Sequence, residues 1–474
     1  MKNTYKILFL SLIIGLSSCD KFLDINTDPT LKSDVTLQEL LPTVLFYTTE
    51  ASYRQSFIAC QYVQQIGSAT TAGGFDAQDD SENAQGWVEM YLNVLPHLNI
   101  IIDKATAQNA PAYVGVAKVL MAYNLGLATT SWENIPYSQA DKKNFAPEYD
   151  SQEQIYVAIG KLLDEGIAAL AQSSSIKPSS DDLAYNGDLG KWTRLAYTLK
   201  ARFAMHLSKK NATQAANTAI TALANGMKNN DDDFQVVFNT RNLGPWYSRV
   251  ALANTTGNLS ITHCATLINL MNGTSPFTVS DPRLPLIATL RRNQTVYGGT
   301  RPGANQGATV DFTVTAWHSR QLAPVQMVTY AETKAIEAEA RFVAGGGTRT
   351  SKGTTALGYD AYLEIAKANM SRLGVTDANA TKYLTDKLVA VGNANVTLEA
   401  IMREKYKAMF LMGDIWTDFR RYDYLSLPYP ENPNLDLKGK TIQRMVYPLS
   451  ESTRNAAVYK NNFKDMAEPM WMFK

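Results

Sequence analysis

The strongest constraint in the sequence is a helical periodicity of apolar residues in its C-terminal half. Over 398–411 apolar side chains recur at i, i+3, i+4, i+8, i+11 and i+12, and they are Leu398, Ile401, Met402, Tyr406, Met409 and Phe410. The opposite face carries Arg403, Glu404, Lys405 and Lys407. A second stripe over 327–342 consists of Met327, Val328, Ala331, Ala335, Ala338 and Phe342. Because such spacings put side chains on one helix face, both segments are predicted to be amphipathic helices packed on a core.

Further helices are predicted along most of the chain, so the expected fold class is mainly α. They fall at about 36–66, 87–106, 111–130, 151–172, 191–208, 212–225, 359–373 and 379–391. Short turns join 191–208 to 212–225, and glycine-containing loops join 327–343 to 359–373, which indicates antiparallel helical hairpins. Hairpins of this kind are typical of tetratricopeptide-like repeats, but the spacing is irregular and no 34-residue period is present. We therefore expect a degenerate helical-hairpin scaffold.

Residues 226–325 differ from the rest of the chain. They contain Asn-Gly and Gly-Gly pairs, several prolines and short β-prone runs such as 235–238, which predict long loops with one or two hairpins. A hundred loop-rich residues inside a compact protein are more often functional than idle. We therefore expect one domain over 36–474, with a helical scaffold at about 36–225 and 326–474 and a variable loop-rich lobe with minor β structure at about 226–325.

The N-terminus has the pattern of a bacterial lipoprotein. Lys2 and Lys6 precede ten apolar or small residues, a stretch too short to span a membrane, and Leu16-Ser17-Ser18-Cys19 follows. We expect a signal peptide over 1–18, acylation of Cys19 and a tether over 19–35. The alternative is an ordinary signal peptide followed by a chance cysteine. No later stretch approaches 18 uninterrupted apolar residues, so we expect anchoring by lipid and not by a membrane-spanning helix.

Cys60 and Cys264 are the two cysteines that remain after such processing. They can pair in an oxidising compartment or stay as buried free thiols, and the sequence does not decide between these states.

Composition and missing motifs exclude several classes of function. The 45 basic and 44 acidic residues are too balanced for a protein that binds nucleic acid by neutralising phosphates. None of the four histidines lies in an H-E-x-x-H motif, and neither C-x-x-C nor G-x-S-x-G occurs. No metal site or cofactor is predicted, although Asp76, Asp79, Asp80 and Glu82 offer oxygen ligands of the kind that bind calcium. A pair of carboxylates for glycoside hydrolysis needs no local motif and stays open.

Four segments, in the same order, resemble the SusD/RagB family of Bacteroidetes nutrient-binding lipoproteins. The first is the run from Cys19 to Pro29, and the second is Thr130-Ser131-Trp132-Glu133-Asn134-Ile135-Pro136-Tyr137-Ser138-Gln139-Ala140. The third contains Gly187-Asp188, Lys191-Trp192 and Leu199-Lys200-Ala201-Arg202. The fourth runs from Tyr330-Ala331-Glu332 through Trp416-Thr417-Asp418-Phe419-Arg420-Arg421 to Asn455. Each motif alone is weak, but together they span the mature chain.

This resemblance implies a tetratricopeptide-like fold with an irregular lobe that contacts ligand. It also implies a non-catalytic lipoprotein on the extracellular face of the outer membrane, which captures oligosaccharides or similar nutrients. Such proteins cover a SusC-like TonB-dependent β-barrel transporter and release ligand into it. The substrate does not carry over, because the ligand loops vary within the family. The alternatives are a lipoprotein enzyme acting on glycans or peptides, and an adaptor that binds only protein.

Candidate ligand residues are the aromatic side chains that lie outside the helical segments resembling the family. Trp132, Trp192 and Trp416 fall in the family-like helical segments, where packing is the better interpretation. The loops around 74–91, 244–249 and 296–318 carry the predicted stacking platforms Trp87, Trp246, Tyr297 and Trp317, with Asp76, Asn293 and Arg301 as hydrogen-bonding partners. Sugar rings stack their C–H faces on aromatic planes and pair their hydroxyls with polar side chains.

The charged residues around Trp416 resemble a catalytic cluster, and they are Asp414, Asp418, Arg420 and Arg421. A buried ion network that braces the last helix is the better interpretation of this cluster.

Overall fold

Helices dominate the computed structural model, which describes residues 35–80, 83–140, 144, 146–258 and 260–474. The helices are α1 (Leu37–Tyr62), α2 (Ala84–Val88), α3 (Leu95–Ala107), α4 (Pro111–Trp132), α5 (Gln152–Leu170), α6 (Leu189–His206), α7 (Ala212–Leu223), α8 (Leu252–Thr255), α9 (Ala265–Met271), α10 (Leu284–Ile287), α11 (Tyr330–Ala344), α12 (Ala356–Leu373), α13 (Asp377–Leu384), α14 (Leu398–Ala408), α15 (Ile415–Arg421), α16 (Leu449–Arg454) and α17 (Ala456–Asn462). Six-residue π-helical turns lie at Glu89–Val94 and Trp246–Ala251. The predicted signal peptide, lipidated cysteine and most of the tether lie outside the described residues.

Polar side chains at the helix starts explain why the long helices begin where they do. Ser151 and Gln154 form a reciprocal capping box at α5, with the Gln154 N–H donating to Ser151 Oγ at 3.3 Å. The Asp188 carboxylate accepts the Lys191 N–H at 3.0 Å at the start of α6. Caps of this kind satisfy backbone donors that the first helical turn leaves unpaired.

The predicted helical hairpins are present, and α6–α7 and α11–α12 are two of them. In a third, α4 packs on α5 so closely that a side chain at Gly115 would meet the Gly166 carbonyl at 3.0 Å. The mainly α, tetratricopeptide-like fold class is therefore confirmed.

One predicted boundary is wrong, because the apolar stripe over 327–342 combines two elements. Met327 and Val328 belong to a strand, Pro324–Val328, and α11 starts only at Tyr330. The Thr329 hydroxyl caps α11, and the Tyr330 N–H donates to Asp233 at 2.7 Å. A short apolar run fits a buried strand as well as a helix, so periodicity alone missed this change.

The strands are short, and among the described residues they form four two-stranded antiparallel sheets. They are β1 (Ile66–Ser68), β2 (Ile135–Pro136), β3 (Tyr149–Asp150), β4 (Phe234–Val237), β5 (Ile261–His263), β6 (Thr289–Leu290), β7 (Val310–Asp311) and β8 (Pro324–Val328). Strands β6 and β7 both lie within 226–325 and pair with each other. Strands β4 and β5 pair with β8 and β1, so they attach the lobe to the scaffold.

Three tryptophans anchor the core, as predicted. Trp132, Trp192 and Trp416 are all buried. Helix α4 alone among the described helices is long and apolar enough to cross a membrane, yet 83% of its apolar window is buried in the protein. Helix α4 is therefore a core helix here.

The predicted ion network around Trp416 is present for Asp418 and Arg421, but it does not include the whole predicted cluster. Asp414 lies 3.6 Å from Arg202 instead, and the Arg420 guanidinium donates to the Gln443 carbonyl at 2.9 Å.

Arg421 donates to both carboxylate oxygens of Glu339, at 2.7 and 3.1 Å, and pairs with Asp418. Lys405 adds a second cation, 2.6 Å from Asp418. All four side chains are at most 4% exposed, so each charge depends on its partners for compensation.

Cys60 and Cys264 are separate free thiols, and both are buried. Burial raises the pKa of each thiol well above its usual value, so both stay protonated at neutral pH.

Glu133 ties the end of α4 to the C-terminal segment. It has a positive φ of 75°, and its carboxylate is buried against Arg444 at 2.7 Å and Lys464 at 2.9 Å. Burial alone would raise the pKa of this carboxyl, but the two cations lower it below its usual value. The Trp471 N–H donates to the same carboxylate.

Candidate functional site

Loops from distant parts of the chain meet at Gly303. Its N–H donates to Asp76 at 2.8 Å, and its carbonyl accepts the Gly73 N–H at 3.1 Å. On the other side the Glu431 N–H donates to the Pro302 carbonyl at 2.8 Å. Gly303 has a φ of 75°, and any β-carbon there would collide with the Glu431 carbonyl. Only glycine therefore allows these loops to pack together.

The exposed and half-buried side chains of loops 272–280, 291–306 and 428–434 are called the loop surface below. Phe277 is 76% exposed, Val296 59% and Tyr429 47%. Tyr297 is half-buried, and its carbonyl accepts the Asn272 side-chain N–H at 3.2 Å, which links two of these loops. Exposed aromatic and apolar side chains carried by fixed loops are a common feature of ligand-binding surfaces.

Polar groups accompany these apolar side chains. Arg301 pairs with Glu431 at 3.0 Å, and both side chains are about half exposed. Arg301 also donates to the Gln306 amide oxygen at 2.8 Å. Asn293 is exposed at a left-handed position with a φ of 64°. The predicted residues Asn293, Tyr297 and Arg301 therefore belong to the loop surface.

Asp76 lies beneath this surface rather than on it. It is fully buried, and its second carboxylate oxygen has no hydrogen-bond partner among the described residues. Burial raises the pKa of this carboxyl, although the Gly303 N–H opposes the shift. In this structure its role is to hold the loops together.

Trp317 is half-buried at the edge of the lobe. Its backbone N–H donates to the Leu286 carbonyl at 2.8 Å. The Arg320 guanidinium lies over the indole, 4.8 Å from the ring centre. A sugar that stacks on this face would have to displace Arg320.

Trp87 and Trp246 are 6% and 4% exposed, and they lie in separate aromatic clusters. Trp87 packs edge-on against Trp132, with ring centres 5.0 Å apart, and Trp246 packs edge-on against Tyr53 at 4.8 Å. Neither indole offers an open face for stacking in this structure. Their roles as stacking platforms remain a prediction.

Sequence reasoning missed Phe277 and Tyr429. Both sit beside prolines, in Ser275-Pro276-Phe277 and in Pro428-Tyr429-Pro430. An aromatic residue next to a proline in a loop was the available signal, since proline favours exposed turns over packed elements.

The acidic residues near 76–82 do not gather into a metal site in the described part of the chain. Among the described residues no three His, Cys, Asp or Glu side chains are arranged to hold a metal ion. Glu82 lies outside the described residues. Asp79 accepts the Asp80 N–H at 3.1 Å.

A possible acid–base group lies in the interior, where Tyr156, His206 and Asp414 form a hydrogen-bonded chain. The Tyr156 hydroxyl is 3.0 Å from His206 Nδ1, and His206 Nε2 is 3.2 Å from Asp414. The adjoining cavity of about 20 Å³ has room for one water molecule.

Two other histidines are also buried. Burial lowers the pKa of His263 and of His318 to about 3, so both imidazoles are neutral at neutral pH.

The fold and the loop surface together define a class, a helical-hairpin protein with exposed aromatic and apolar side chains on its loops. The chain belongs to the SusD-like family described as "Starch-binding associating with outer membrane", whose model matches residues 29–448. The resemblance found in the sequence is therefore confirmed. No curated protein sequence matches the chain.

Solved structures have the same fold. A SusD homologue from Bacteroides uniformis has a TM-score of 0.76 at 19% identity, and the match covers 93% of this chain and 100% of that one. A SusD/RagB family protein from Bacteroides thetaiotaomicron has a TM-score of 0.74 at 23% identity, covering 93% and 99%. A chitin-binding SusD homologue from Flavobacterium johnsoniae has a TM-score of 0.73 at 20% identity, covering 92% and 98%. At these identities the likeness shows the fold alone.

Proposed function

We propose that this protein binds oligosaccharides at the loop surface and releases them into an outer-membrane transporter. The observation that carries the proposal is the exposed group Phe277, Val296 and Tyr429, with the half-buried Tyr297, in a family described as starch-binding. Neutral sugars offer C–H faces for stacking and hydroxyls for hydrogen bonds. Asn293, Arg301 and Glu431 supply donors and acceptors beside the rings.

Two properties support binding without catalysis. Tyr156 and His206 of the hydrogen-bonded chain are buried, and the cavity beside Asp414 admits one water molecule, which leaves no room for a glycan there. The family description and the chitin-binding neighbour both name binding. Incubation of the protein with a glycan panel separates the alternatives. Saturable binding without turnover supports capture, and turnover supports an enzyme. If the protein shows neither binding nor turnover, a protein-binding adaptor is favoured.

Replacing the exposed aromatic residues is expected to weaken glycan binding without unfolding the protein. Phe277→Ala and Tyr297→Ala should each lose about 1–3 kcal/mol of binding free energy, by analogy with nucleic-acid bases that stack on aromatic side chains. The measurement is isothermal titration with maltohexaose and with chitohexaose, accompanied by thermal melting of each variant.

A matched control for these variants is Phe463→Ala, because Phe463 is 52% exposed and lies outside the loop surface. This variant should bind like the wild type. If Phe277→Ala and Tyr297→Ala also retain full affinity for a glycan that the wild type binds, the site is not the loop surface.

The proposal also includes a lipid anchor and a partner. Acylation of Cys19 would hold the protein at the outer membrane, where a tether over 19–35 would let it cover a SusC-like TonB-dependent β-barrel. Modest affinity suits this role, because the captured ligand must be released into the transporter.

Changing the acylated cysteine is expected to detach the protein. Cys19→Ala should release a soluble protein or block its maturation, since no thiol is left to acylate. Membrane fractionation of expressing cells, with metabolic labelling by a fatty-acid analogue, measures this. Cys60→Ala is the matched control, because Cys60 is a buried free thiol, and it should keep both the label and the membrane location. Normal processing and membrane retention of the Cys19→Ala protein would contradict the lipoprotein assignment.

A further inference from the structure

An apolar pocket of about 190 Å³ lies beside the loop surface, between α9, α14 and α15. The apolar side chains that line it are Leu270, Met402, Tyr406, Phe419, Leu425 and Leu427. The polar side chains on the lining are Thr266, Glu399, Arg403, Asp418 and Ser426, and Glu399 and Ser426 are exposed at the rim. A pocket whose wall is mainly apolar favours an apolar ligand, because binding removes apolar surface from water.

The pocket is held open by contacts behind its walls. The Tyr406 hydroxyl donates to the Val63 carbonyl at 2.9 Å, which fixes one wall. On the opposite wall the Tyr424 N–H donates to the Phe419 carbonyl at 2.7 Å. Asp423, Tyr424 and Ser426 all have left-handed backbones, with φ of 52°, 55° and 60°. Non-glycine residues in this conformation persist only where the surroundings enforce it, and they concentrate at ligand sites.

We propose that this pocket binds a single aromatic ring. An engineered cavity of about 150 Å³ lined by leucine, isoleucine and phenylalanine binds benzene in another protein, and this pocket is slightly larger. Tyr406 and Phe419 both line the pocket and stand edge to face with ring centres 5.4 Å apart, so the wall is already aromatic where an inserted ring would pack. A flat apolar ring fits the apolar part of the lining better than a bare sugar, whose hydroxyls would need polar partners on every side.

The position of the pocket suggests how a ring could arrive there. Thr266, on the pocket wall, donates to Gln64 at 2.6 Å, and Gln64 in turn donates to the Pro428 carbonyl at 2.7 Å. Leu427 of the pocket is two residues from Tyr429 of the loop surface. The ring can therefore be a free small aromatic compound or an aryl substituent on a glycan held at the loop surface. The second source rests on the proposed function.

Titration with phenol tests the pocket itself. The wild-type protein should bind phenol saturably at one site, as measured by calorimetry and by ligand-observed NMR. Leu270→Trp fills the pocket and should weaken that binding at least tenfold. Leu357→Trp adds the same bulk at a position on α12 that is 59% exposed and outside the pocket, and it should bind phenol like the wild type.

Two outcomes would overturn the proposal, namely no saturable phenol binding by the wild type, or unchanged binding by a folded Leu270→Trp protein. If the Leu270→Trp protein fails to melt cooperatively, Leu427→Trp fills the pocket from the loop side and should also weaken phenol binding at least tenfold. Unchanged phenol binding by a folded Leu427→Trp protein would likewise overturn the proposal.

A second titration identifies the source of the ring. Maltotriose is compared with 4-nitrophenyl α-maltotrioside, and diacetylchitobiose with its 4-nitrophenyl glycoside. An aryl substituent is indicated if a nitrophenyl glycoside binds at least tenfold tighter than its parent sugar and Leu270→Trp removes that gain. Equal affinities, with phenol binding intact, indicate a free aromatic compound. Phenol binding without any glycan binding keeps the pocket and overturns the proposed function.

Discussion

Arg421→Ala is expected to lower the free energy of unfolding by about 3–5 kcal/mol, because it breaks a buried ion network from one side. Arg421 is fully buried, and its guanidinium spans Glu339 and Asp418. Without it, two buried carboxylates would share the single charge of Lys405. Urea unfolding followed by circular dichroism gives the change in free energy.

A surface arginine provides the comparison for this variant. Arg349 is 50% exposed and 4.0 Å from Asp423, so Arg349→Ala should cost less than about 1 kcal/mol. If both variants unfold at the same urea concentration as the wild type, the network does not brace α15. If both variants lose a similar amount of unfolding free energy, burial of the arginine does not determine how much stability its removal costs.

Trp246→Ala is expected to cost about 3–5 kcal/mol of stability, the range for removing a large aromatic side chain from a core. Trp246 is nearly enclosed, between Tyr53 at 4.8 Å and Phe312 at 6.4 Å. Trp87→Ala should behave alike, because Trp87 packs on Trp132 and Tyr447. Thermal melting and urea unfolding measure the loss, and glycan titration below the melting temperature measures binding.

The two measurements separate a core tryptophan from a stacking platform. Replacing a core tryptophan by alanine lowers the stability and leaves the glycan affinity of the remaining folded protein unchanged. Replacing a stacking platform weakens glycan binding and leaves the stability unchanged, as expected for Phe277→Ala, because the Phe277 side chain is mostly exposed. If Trp246→Ala melts like the wild type but loses glycan binding, Trp246 is the ligand contact that its sequence context suggested.

Local signals predicted the scaffold because its helices carry their own start signals and stripes. The stripe over 398–411 corresponds to α14 and the turn after it, and Thr397 caps that helix. The strand Pro324–Val328 was missed because its partner, Phe234–Val237, lies about ninety residues earlier in the chain. Strand pairing between segments so far apart produces no local sequence pattern, so the strand can be identified only from its tertiary context.

The site was harder to predict because exposure of a loop aromatic depends on what packs over it. Tyr297 and Trp246 both sit in glycine-containing loop sequence, yet one is on the loop surface and the other is enclosed. The difference arises from α1, whose Tyr53 and Phe57 cover Trp246 from nearly two hundred positions away. Proline and glycine beside an aromatic residue predict a turn, but they do not predict its neighbours.

The buried pair of Glu133 and Arg444 bears on the order in which the chain can fold. The two residues are 311 positions apart, and Trp471, close to the C-terminus, also donates to Glu133. A chain that emerges N-terminus first would expose the end of α4 long before its counter-ion is available. Because contacts between such distant segments form slowly, this end of the core should close late in folding, after the segment that carries Arg444 and Trp471 has docked on α4.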